Sequence, residues 1–198
     1  MSGLMDVLGA ALGGDMEQQL GQKIGASPEA TGSAIQAALP MLLSGLMQNA
    51  QQPGGAAALH NALDRDHDGS LLDNLGGLLG GQMGGRAADG NGILGHVLGD
   101  RREVAETSVA RASGLDAGQA AQLMVTLAPL VMSVLGRVQR SRNLDSNGLA
   151  TMLETEHANV AQRQPDLMSL ATQLLDRNRD GSALDDVMKG LGGLLGGR

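Results

Sequence analysis

Three carboxylates at alternate positions, Asp64, Asp66 and Asp68, run directly into Gly69. Alternate residues of a tight loop turn their oxygens toward one centre, and the glycine allows the sharp bend that closes it. The pattern returns as Asp176, Asn178 and Asp180, followed by Gly181. Oxygen clusters of this kind hold hard divalent cations, and both stretches match the first half of an EF-hand calcium loop. Ca2+ takes about 6–8 oxygens, so each site needs further donors. The bidentate Glu of position 12 is replaced by Leu75 and Val187, while Asp73 and Asp185 stand at position 10. With Ser70 and Ser182 at the position that supplies a backbone carbonyl, the candidate ligands are Asp64, Asp66, Asp68, Ser70 and Asp73 in the first loop. In the second they are Asp176, Asn178, Asp180, Ser182 and Asp185, with Asp186 as a further donor. The expectation is structural Ca2+ of modest affinity.

The same residues have a metal-free reading. SLLD (70–73) and SALD (182–185) are close to capping boxes, with Ser70 and Ser182 as helix N-caps. Asp64 and Asp66 then stabilise a solvated turn. Arg65, His67, Arg177 and Arg179, at the even positions, are expected to point outward.

The elements that must position these loops are helices. Alternating β-branched runs are missing, and Ser27 followed by Pro28 is an N-cap with proline at the first helical position. ALPMLLSGL and LAPLVMSVL each carry a proline, Pro40 and Pro129, inside an apolar helical pattern, which predicts a kinked long helix or a second helix after a break. These paired segments, and the two loops each followed by LGGLLGG, predict an all-α tandem duplication of a small helical bundle. Repeats at 1–88 and 91–198, each of five or six short helices, are joined at ADGNG.

Gly77 and Gly81, Gly193 and Gly197, Gly9 and Gly13, and Gly95 and Gly99 are each four apart, hence on one helix face. Such faces admit another backbone closely. They pack either within the repeat, first helix against last, or between subunits as a homo-oligomer or filament.

Composition narrows the function. The 198 residues include 31 Gly and 11 Met but no Phe, Tyr, Trp or Cys, so the core must be built from Leu, Ala, Val, Ile and Met, with helices approaching through small residues. Thiolate catalysis and Cys-based zinc sites are excluded. Net charge is −7, and it is uneven: 9 acidic and 3 basic residues up to Gly90, 12 and 11 thereafter. That balance argues against a nucleic-acid partner. No stretch reaches about 18 consecutive apolar residues, so no transmembrane helix is expected, and a cytoplasmic protein is. GNGILG (90–95) has no strand before it and reads as the linker between repeats. His60, His67, His96 and His157 lack metal-ligand spacing, and Arg137, Arg140 and Arg142 read as cations at a helix C-terminus. No hydrolase, kinase or metalloprotease motif is present, so an enzyme is not expected.

ALPMLLSGLMQNA, followed by PGGAAALHNALDRDHDGSLLDNLGGLLG, resembles the bacterial domain-of-unknown-function 937 family, related to the YidB-like proteins. The resemblance is strongest in the first repeat and implies a small helical bacterial protein without an assigned activity. It carries over no catalytic residues. A protein or peptide held in a Met-lined groove is a further function class that the composition permits.

Overall fold

The computed structural model describes residues 3–67 and 88–163, together with Gly69, Leu71 and Gly77. The chain is all-α, and no strand occurs among the described residues. The first half supplies α1 (Leu4–Leu12), α2 (Asp15–Ile24), α3 (Pro28–Gln51) and α4 (Gly55–Asp66). The second supplies α5 (Gly90–Leu98), a 3-10 turn (Gly99–Arg101), α6 (Arg102–Ser113), α7 (Ala117–Ser141) and α8 (Ser146–Arg163).

Local chemistry sets the boundaries. The Ser27 hydroxyl accepts the Ala30 N–H at 3.2 Å, with Pro28 at the first helical position. Asp116 and Gln119 form a reciprocal capping box at the start of α7, at 2.8 and 3.1 Å. α2 and α6 both stop at glycines in the left-handed region, Gly25 (φ 71°) and Gly114 (φ 75°), which end a helix without a Cβ penalty. The stretch GNGILG differs from its expected role as a linker. Asp89 caps it by accepting the Gly92 N–H at 2.9 Å, and α5 begins at Gly90.

Each half contributes four helices among the described residues, one of them long, because Pro40 and Pro129 lie inside uninterrupted helices of 24 and 25 residues. An interior proline removes one helical hydrogen bond and costs about 3 kcal/mol. Both prolines are buried, so packing offsets that cost. The carbonyl that Pro129 leaves free is that of Val125, and Gly90 lies so close against it that a Cβ there would collide.

α3 and α7 are the hubs. α3 packs against α2, α4, α5, α6, α7 and α8, and α7 against α1 through α6. One core runs from Leu4 to Leu153 across both halves, filled by Leu, Met and Val and by buried alanines such as Ala34, Ala38 and Ala120. At its far edge the buried Glu156 of α8 accepts the Met5 N–H at the start of α1. By length and composition α3 and α7 are each apolar enough to cross a bilayer, a property that counting unbroken apolar runs misses because Gly, Ser, Thr and Pro interrupt them. Of the apolar stretch of each, 78% is buried inside the fold.

Candidate functional site

The first acidic stretch forms a corner docked on the C-terminal third of α7. Its first three positions are not loop, because α4 continues through Asp66. Residues two apart on an α-helix point about 200° from each other, so Asp64 and Asp66 face different neighbours.

Asp64, half exposed, is held by two side chains. One oxygen accepts from Gln139 Nε2 at 2.9 Å, and the other lies 3.3 Å from His60 Nδ1. The other ring nitrogen of His60 lies 3.2 Å from the Leu144 carbonyl, so the imidazole bridges α4 to the turn between α7 and α8. Beyond Asp66 the chain leaves the helix at His67, which is buried rather than turned outward as its even position suggested. It is buried because its backbone lies on Gly136, where any Cβ would collide with the His67 carbonyl. Arg140 Nη2 donates to that carbonyl at 3.1 Å. Gly69, at φ 90°, adopts the left-handed conformation the sharp turn needs, and Arg137 Nη2 donates to its carbonyl at 3.0 Å. Arg65 is exposed, as its position suggested.

Gly136, Arg137, Gln139 and Arg140 are therefore the partners of the corner. Arg137 and Arg140 do more than complement a helix dipole: they donate to carbonyls of the acidic stretch. The signal was present in GRVQR, an interior glycine beside cations in a chain whose net negative charge lies mostly in the other half. Among the described residues no three His, Asp or Glu side chains come together as a metal ion would require. Asp68, Ser70, Asp73, Asp176, Asn178, Asp180, Ser182, Asp185 and Asp186 lie outside the described residues, as do Arg177 and Arg179.

On the other side of His67 a half-open cleft of about 450 Å³ lies between α3, α4, α5 and α7. Leu46, Leu59, Ile93, Val97 and Met132 form its apolar surface; Asn49, Asp66, Asp89 and His96 contribute polar groups. Asn49 Nδ2 donates to the carbonyls of His96 (2.9 Å) and Val97 (3.3 Å), tying α5 to α3. Beside it, Gly45 leaves room for the Val97 carbonyl, which would lie 2.7 Å from a Cβ.

The glycines of the four-apart pairs behave differently. A Cβ on Gly9 or Gly95 meets no described residue within 4 Å. Both are exposed among the described residues, and the segments expected to pack on them, 75–81 and 191–197, lie outside the described residues apart from Gly77. Gly81, Gly193 and Gly197 lie outside the described residues.

No curated protein and no solved structure matches the chain. A family of bacterial proteins of unknown function does, over residues 6–138, a span that includes α2 through α6, most of α1 and α7, and both glycine-lined docking points. The chain belongs to that family, DUF937.

Proposed function

We propose that this is a non-enzymatic helical protein, built by duplication of one unit over 1–88 and 91–198, that associates with copies of itself through the open faces of α1 and α5. The observation that carries the reading is the space over Gly9 and Gly95 that no described residue fills. An interior helical glycine costs about 1 kcal/mol relative to alanine, and no described residue packs on either position to offset that. A helix from a second copy laid across either position does so through close backbone contact. Duplication is supported by the matching lengths of α1 and α5, 9 residues each, and of α3 and α7, 24 and 25. In this reading the first corner is a metal-free joint. Its carbonyls at His67 and Gly69 are already served by guanidinium groups, whose charge opposes a divalent cation. Light scattering across a concentration series tests the assembly. Wild type forms a defined oligomer and the Gly9→Leu/Gly95→Leu double variant is monomeric; a wild type that stays monomeric throughout sinks the reading.

A second reading, calcium held structurally by the two acidic loops, is favoured by Gly69 at φ 90°, the conformation a calcium loop requires of its glycine. Calorimetric titration of chelator-stripped protein with Ca2+, with Mg2+ as control, decides it. Saturable heat abolished by Asp68→Ala and Asp180→Ala supports calcium; no heat removes it.

A further inference from the structure

The cleft between α3, α4, α5 and α7 is independent of the self-association reading and shares Asp66 with the calcium reading. We propose that it binds a small amphiphilic cation, an aliphatic body ending in a protonated amine. Its volume of about 450 Å³ falls in the range typical of small-molecule sites. The apolar surface supplied by Leu46, Leu59, Ile93 and Met132 takes the aliphatic body.

The head group is set by charge. Asp66 and Asp89 both line the cleft, and no Lys or Arg does among the described residues. Asp66 makes no hydrogen bond or ion pair with any described residue. Asp89 gives one oxygen to the Gly92 N–H and keeps the other available. Two carboxylates beside an apolar hollow disfavour an anion and leave a neutral head group without electrostatic gain. An ammonium group is the head that these carboxylates attract. The apolar surroundings strengthen that attraction relative to bulk water.

The experiment is calorimetric titration of the full chain with octylamine, octanol and octanoate, which share a body and differ in the head. Octylamine is expected to bind saturably at one site, and octanoate at least about tenfold more weakly. Asp66→Asn/Asp89→Asn keeps the cap on α5, because Asn caps as well as Asp. It should weaken octylamine about tenfold and leave octanol unchanged. Ala62→Phe, which places a ring in the cleft, should abolish binding of all three while helical circular dichroism stays native. Octanoate binding as tightly as octylamine, binding that survives a folded Ala62→Phe, or no octylamine binding would each overturn the proposal.

Discussion

The C-terminal ends of α4 and α5 are received by the two hub helices in the same way. On α3, Gly45 makes room for the Val97 carbonyl and Asn49, four residues on, donates to it. On α7, Gly136 makes room for the His67 carbonyl and Arg140, again four residues on, donates to it. The last four carbonyls of any helix lack internal partners, and both devices serve carbonyls at or just past such an end. What differs is the donor. α5 ends without an acidic loop and needs only an amide. α4 runs into the acidic corner, and α7 meets it with two guanidinium groups and Gln139. The comparison teaches that a glycine and a donor four residues later on one helix face mark a place where another helix terminates.

The sharpest way to break the comparison is to fill the glycines. Gly136→Ala puts a methyl group into the His67 carbonyl, which is backbone and cannot swing aside. It should destabilise the protein by about 2–3 kcal/mol despite the better helix propensity of alanine. Gly45→Ala meets the Val97 carbonyl at 2.7 Å and should cost about 1–2 kcal/mol. Urea midpoints measure both, and a Gly136→Ala midpoint equal to wild type would show that the two docking points are not equivalent.

Next in size are the donors. Arg140→Ala removes a charged donor from a part-buried carbonyl and should cost about 1.5–3 kcal/mol, against about 1 kcal/mol for Asn49→Ala. Equal losses in thermal or urea unfolding would mean that the acidic corner gains nothing from its cationic partners.

Much of this architecture was legible beforehand because its signals are local. Ser27–Pro28 at a helix start depends on a few neighbouring residues, and the chain folds as those residues indicate. The two long apolar patterns marked the hubs for the same reason. Docking is not local. His67 sits at a position that faces outward in an isolated loop, yet it is buried because Gly136, 69 residues later, leaves a space for it. Spacing could not distinguish Gly45 from Gly95 either, since what a glycine meets depends on which helix crosses it. The acidic repeat indicated a cation; it did not indicate that α7 brings two of its own.

A pH series tests α8. His157 on α8 is partly buried, with Nε2 enclosed and without a hydrogen-bond partner among the described residues, and burial pushes its pKa below the usual 6.5. Below that pH the unfolded chain binds a proton that the folded chain resists. Stability from this group is therefore complete above about pH 6.5 and declines as pH falls through it and on to the lowered folded value. His157→Gln should flatten the decline by less than one proton's slope. An unchanged slope would show that burial of the His157 ring does not oppose its protonation.

The smallest expected effect has the opposite sign. Gly9→Ala and Gly95→Ala put methyl groups into open space on regular helices, so in dilute monomer each should stabilise by about 0.5–1 kcal/mol through helix propensity alone. At concentrations where copies associate, the same methyl groups hold the crossing backbones apart and the gain should shrink or reverse. Unfolding measured at two protein concentrations resolves the two regimes. A gain that stays constant with concentration would leave the open glycines without a partner, and the difference between them and Gly45 or Gly136 would then lie in the monomer alone.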